Sequence, residues 1–230
     1  MEPNHSTIPP ICVLHIGKTG GSFLRSVLKH NQNRWTLPLN LLGHEATAFG
    51  TAKRFGPDRQ LAFVVRDPLL RFSSGFYSRQ RQGRPTYQSD WTAEEAAAFR
   101  WFETPEDLAL ALASPKEVEK SAALFAFNSI RHLKSDLRHH LGGARRLVKE
   151  RDNIIMCVDL PDLTALLPRI MTILGVPDWD MPPNPVTHKS PTPPAPLTAQ
   201  ATAALRAHWA DEFEVYDVVR DMAYQLGFSR

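Results

Sequence analysis

The chain is poor in cysteine, with two in 230 residues, Cys12 and Cys157. Each lies inside an apolar run of the kind that forms a buried strand, so both read as small core residues and no disulfide framework is expected. Long apolar runs are missing as well: none approaches the roughly 20 residues of a membrane span. The opening MEPNHSTIPP has neither the basic start nor the apolar stretch of a secretory signal, and the expected location is the cytoplasm. His, Cys and carboxylates form no compact cluster at metal-ligand spacing, so no metal is expected. Solenoid-period repeats are absent.

What remains is an ordinary globular composition, 43% hydrophobic and 22% charged, with a net charge of +3. A domain of this size buries roughly 70% of the surface that its unfolded form exposes, so residues 1–230 are read as one domain. The charge is unevenly spread. Residues 66–84 hold Arg66, Arg71, Arg79, Arg81 and Arg84 against one acid, Asp67, a local excess suited to an anionic ligand.

Three apolar runs rich in β-formers mark strands: ICVLHI (11–16), LAFVV (61–65) and NIIMCV (153–158), with a further strand around 35–39. Uninterrupted apolar strands belong to a parallel sheet covered on both faces. Helical spacing follows each of them: SFLRSVLKH after the first, PLLRFSSGFYSRQRQ from Pro68 after the second, and PDLTALLPRIMTILG, ended by Gly175, after the third. Residues 92–147 are helical in pattern, with breaks at Thr104-Pro105 and Ser114-Pro115. Eight of the nineteen prolines fall in 177–196, which must be an extended loop, and two amphipathic segments at about 198–227 close the chain as helices. Alternating strands and helices predict an α/β three-layer sandwich with a central parallel sheet, whose ligands bind at the carboxyl ends of the strands.

At the first such end stands His15-Ile16-Gly17-Lys18-Thr19-Gly20-Gly21-Ser22. Glycines let successive N–H groups turn inward, the helix N-terminus adds partial positive charge, and Lys18, Thr19 and Ser22 add donors; the segment is an anion cradle. It is not the nucleotide triphosphate loop G-x-x-x-x-G-K-[ST], because the first glycine of that pattern would fall on Cys12.

HIGKTGGSF resembles the HxPKTGGTS phosphosulfate loop of the carbohydrate sulfotransferase superfamily, in particular the branch with heparan sulfate 2-O-sulfotransferases and bacterial relatives. Arg66-Asp67-Pro68-Leu69-Leu70-Arg71-Phe72-Ser73-Ser74-Gly75-Phe76-Tyr77 resembles that family's RDPxxRxxSxxY motif for a ribose 3′-phosphate. Together the motifs cover about 25 residues, and Gly17 stands where the family usually has proline. The resemblance implies a P-loop nucleotide-hydrolase-like sulfotransferase fold and transfer of a sulfuryl group from 3′-phosphoadenosine 5′-phosphosulfate (PAPS), without metal, to a hydroxyl or, less readily, an amino group of an acceptor.

Carried over residue by residue, it assigns the donor site to Gly17, Lys18, Thr19, Gly20, Gly21, Ser22, Arg66 and Ser74, with Lys18 neutralising charge on the leaving oxygen. His44, in Leu42-Gly43-His44-Glu45, matches one histidine of the branch's His-Gly-His and is the expected base, the other position being Leu42. Glu45 is a substitute base or an orienting partner. Lys189, in the proline-rich stretch, is a candidate for the nucleotide. Arg71 either supports the site or pairs with Asp67; His15 reads as structural, and His132, His139 and His140 as solvated. Arg79, Arg81, Arg84, Tyr87, Trp91 and Trp101 are either a groove for a carbohydrate acceptor, whose sugars stack on aromatics, or ordinary surface and core. Two other classes remain open: a small-molecule kinase, and a non-catalytic module binding nucleotide or polyanion. An arginine-held nucleic acid would explain the charge but not the loop, so no nucleic-acid partner is expected.

Overall fold

In the computed structural model, which describes residues 8–187 and 195–229, the protein is α/β. Four parallel strands, β1 (Ile11–Val13), β2 (Leu39–Leu41), β3 (Gln60–Val65) and β4 (Ile154–Asp159), form one sheet in the order β2-β1-β3-β4. Leu61, Ala62, Phe63, Val64 and Val65 are all no more than 3% exposed. Because successive strand residues point to opposite faces, both faces of the sheet are covered, as the unbroken apolar run demands.

The helices are α1 (Gly21–His30), α2 (Ala48–Phe55), α3 (Pro68–Gln80), α4 (Ala93–Trp101), α5 (Pro105–Ala111), α6 (Glu117–Ser129), α7 (Arg131–Lys134), α8 (Leu137–Leu141), α9 (Ala144–Lys149), α10 (Leu167–Ile173), α11 (Ala199–His208) and α12 (Ala210–Gln225). None among the described residues is long and apolar enough to cross a membrane.

The apolar interior has two parts. One surrounds the sheet and takes in α1, α10 and α12. The other gathers Phe72 and Phe76 of α3 with Phe102, Phe127, Trp209 and Phe213. Phe127 stacks on Phe72 at 5.6 Å between centroids and meets Trp209 edge-on at 5.1 Å. Such aromatic pairs contribute about 0.5–1.5 kcal/mol beyond their burial.

Several boundaries differ from the sequence reading. The first strand stops at Val13, although Leu14 N–H still reaches the Ala62 carbonyl. The strand expected around 35–39 forms instead at 39–41, because Thr36 N–H is taken by the Gly175 carbonyl and Pro38 has no donor to pair. Ser114-Pro115 does not open a helix; α6 starts two residues later, with Ser114 Oγ accepting from Lys116 N–H. The segment after β4 starts with a single 3-10 turn at Leu160–Asp162 and becomes α-helical only from Leu167, where Pro168 occupies a first-turn position. Helix α3 starts as expected at Pro68, and Asp67 caps it by accepting from Leu70 N–H at 3.0 Å.

Candidate functional site

The loop 17–20 joins the end of β1 to α1, on the carboxyl side of the sheet, and the neighbouring strand β3 ends beside it at Arg66. Two positions of the loop have positive φ: Lys18 at 68° and Gly20 at 88°. A left-handed lysine is costly, and a fixed backbone curl is what turns consecutive amides toward a common point. The amides of Lys18, Thr19, Gly20, Gly21 and Ser22 make no backbone hydrogen bond among the described residues. Five open donors therefore stand at the N-terminus of a ten-residue helix. Gly21 leaves room for the His15 ring: a Cβ there would lie 2.4 Å from its Cδ2 and displace it.

The surrounding side chains hold this curl from beneath. Thr19 is fully buried and its hydroxyl donates to the Ile16 carbonyl at 2.9 Å, so its amide faces the cradle while its side chain, expected as a ligand donor, is used internally. Arg71 is also fully buried. Its Nε donates to the Gly17 carbonyl at 3.1 Å, and its Nη2 to the carbonyls of His132, at 3.2 Å, and Ser135. Its carboxylate partner is Glu212 of α12 at 3.5 Å, not Asp67. Arg71 thus ties the loop to two helices behind it. Burial pushes the Glu212 carboxyl up to about 7, against the pull of Arg71.

Lys18 and Arg66 come together at the mouth. Arg66 Nη1 lies 3.5 Å from the Lys18 carbonyl oxygen, at the limit of a hydrogen bond. Desolvation, then the charges of Arg66 and Arg81, lower the Lys18 ammonium to about 8. Cations crowded in this way are stabilised by a bound anion. Ser74 lies half-buried on α3, eight positions after Arg66, with no contact that ties it to the cradle. Lys189 lies outside the described residues.

His44 is brought to the cradle by the turn after β2. Its Nδ1 is 3.1 Å from the His15 carbonyl, and the two imidazoles pack at 3.8 Å between centroids. A carbonyl only accepts, so Nδ1 carries the proton and Nε2 of the neutral ring is left with its lone pair. Residue 44 is exposed, yet the packed ring is desolvated enough to lower its pKa below the ordinary 6.5, with the Arg25 and Lys18 charges acting in the same direction. His15 in turn places Nε2 3.4 Å from Ser22 Oγ. Glu45 folds back over Gly43, where a Cβ would meet its carboxylate at 2.4 Å.

Two histidines read as solvated are not. His140 is 1% exposed with Nδ1 on the Ala46 carbonyl at 3.0 Å, and His132 is half-buried against Gly17; His139 alone is exposed. The arginine-rich stretch also divides. Arg79 is buried in a bidentate pair with Glu95, its nitrogens also reaching the carbonyls of Ser89 and Asp90, and it cannot line a groove. Arg81, Arg84 and Trp91 do line a cavity of about 590 Å³, with Gln80, Gln82 and Pro85. Tyr87 packs over Gly83, and Trp101 stands 57% exposed on α4 outside the cavity.

Sequence reasoning passed over Asp159 and Tyr216. Asp159 ends β4, opposite Val65, and accepts from the Tyr216 hydroxyl, while its Oδ1 is buried without a partner. Its position straight after the apolar run NIIMCV was the available signal.

Among the described residues no group of three or more His, Cys, Asp or Glu is placed to hold a metal. Fold and site together define an α/β protein with an anion cradle at the end of its first strand. No family model, curated protein or solved structure matches the chain.

Proposed function

We propose that the chain is a sulfotransferase with the P-loop-like fold of that class, moving a sulfuryl group from PAPS to a hydroxyl, less readily an amino group, of an acceptor. The observation that carries this reading is the set of five open amides, at residues 18–22, curled beneath Lys18 and flanked by Arg66.

PAPS supplies an activated sulfuryl group on a good leaving group. The open amides and the α1 N-terminus suit its 5′-phosphosulfate. Arg66 offers a fixed multi-donor cation to the 3′-phosphate, and Ser74 a hydroxyl from the helix that follows. In the transfer the acceptor oxygen forms a bond to sulfur as the bridging S–O bond breaks, and adenosine 3′,5′-bisphosphate departs. The acceptor proton goes to Nε2 of His44. Lys18 neutralises charge developing on the leaving oxygen, as basic side chains do in phosphoryl transfer.

A carbohydrate is the acceptor class we propose. The cavity lined by Arg81, Arg84 and Trp91 supports it, because Arg81 is near enough for its charge to act on Lys18. An indole face with two guanidiniums suits a sugar ring bearing acidic groups.

A thermal-shift titration tests the reading. Adenosine 3′,5′-bisphosphate without magnesium is expected to raise the melting temperature. A response confined to ATP with magnesium would instead identify a kinase.

A further inference from the structure

His132 belongs to α7, a helix of four residues far from the cradle in sequence, yet two glycines are cut to fit it. A Cβ on Gly17 would lie 3.2 Å from its Nδ1, and a Cβ on Gly75 of α3 would lie 3.1 Å from its Cβ. The imidazole is therefore wedged between the first residue of the loop and the helix that follows Arg66. Its carbonyl accepts from Arg71 Nη2, on the same guanidinium whose Nε holds the Gly17 carbonyl, so one buried side chain fixes both ring and loop.

Neither ring nitrogen of His132 has a hydrogen-bond partner among the described residues, although the residue is half-buried. Its ring nitrogens are not among the fully buried unpaired side-chain atoms, so they can be reached from outside the fold. Of the charges that act on the ring, Lys18 is the strongest, followed by Arg71 and His44, which places it among the groups assigned to transfer. Burial and the Lys18 and Arg71 charges hold its pKa well below 6.5. It is a neutral donor and acceptor, not a third cation competing with Lys18 and Arg66 for the phosphates.

We propose that His132 is a further substrate-contacting residue, hydrogen-bonding through its free ring nitrogen to the sulfuryl oxygens of the bound donor beside Lys18. The inference rests on the sulfotransferase reading and adds a second imidazole, against Gly17, to the site. The two imidazoles then divide the work: His44 faces the incoming acceptor, and His132 the group being transferred.

Calorimetric titration with two ligands that differ only in the sulfuryl group tests this without any knowledge of the acceptor. His132→Ala is expected to weaken PAPS about tenfold, the effect of one hydrogen bond to an anionic group, while adenosine 3′,5′-bisphosphate keeps its affinity within about twofold. His132→Asn, which retains a donor near the Nδ1 position, is expected to recover part of the loss and carries the test if the alanine variant fails to fold. Equal weakening of both ligands, or of neither, overturns the inference and makes His132 a packing residue of the loop. If the wild-type protein binds neither ligand, the sulfotransferase reading falls first and this assignment with it.

Discussion

The Nδ1 of His44 donates to the backbone carbonyl of His15, 3.1 Å away, and this one bond decides which nitrogen of His44 is available as a base. With Nε2 open and the pKa lowered by desolvation, the ring stays neutral at pH values where a free histidine would begin to charge. The acid limb of the rate profile with a hydroxyl acceptor is therefore expected below pH 6.5, because protonation alone removes the lone pair. His44→Ala should lose about 10²- to 10⁴-fold in turnover while binding adenosine 3′,5′-bisphosphate normally. A variant with near-normal turnover would transfer the role to Glu45.

Lys18 sets the opposite limb. Its ammonium must be charged to neutralise the leaving oxygen, and its pKa is lowered to about 8. Activity is expected to fall as pH rises through about 8, well before an ordinary lysine would lose its charge. Lys18→Ala should cost about 10²- to 10³-fold in turnover in a protein that melts normally. A flat alkaline profile would remove Lys18 from the chemistry.

Arg66→Ala separates the two phosphates. Loss of the guanidinium should weaken adenosine 3′,5′-bisphosphate by one to two orders of magnitude, as expected for a charge-assisted pair. Adenosine 5′-phosphosulfate, which has no 3′-phosphate, should bind nearly as before. Equal losses in a calorimetric comparison would make Arg66 a support for the Lys18 carbonyl.

Arg71→Met leaves Glu212 buried without its cation. Removing one partner of a buried pair costs about 3–5 kcal/mol. The loss is expected to depend on pH in a defined direction: the Glu212 carboxyl, already raised to about 7 in the folded protein, rises further, so protonation rescues the variant. Stability should be greatest below about pH 4.5 and should fall as pH climbs through the raised value, so melting temperatures measured at pH 6 and pH 8 differ more for the variant than for the wild type. The same variant should bind adenosine 3′,5′-bisphosphate more weakly, since the Gly17 carbonyl is released.

The parts legible in the sequence were those fixed by local chemistry. The apolar run of β3, the proline start of α3 and the glycines after Lys18 each announce themselves within a few residues. Arg71, Glu212, His132 and Asp159 do not. Their roles arise from contacts across tens of residues: Arg71 reaches Gly17 over 54 positions and His132 over 61. Arg79 stayed open between groove and core for the same reason, because the counter-charge that buries it, Glu95, lies sixteen residues away. Helix boundaries in the polar segments shifted where a single backbone donor or acceptor was taken elsewhere, as at Thr36.

Alongside α12, which contributes Phe213 to the aromatic interior and Val215 and Val219 to the one around the sheet, helix α3 links the loop to the aromatic cluster. Arg71 on it grips the loop, while Phe72 and Phe76 anchor in the aromatic cluster. The loop and the aromatic annex are thus packed as two units and coupled through α3, through α12 and through His132 against Gly17. Repacking of the annex around Ile130 and Leu133 is therefore transmitted to the loop, because His132 between them lies against Gly17.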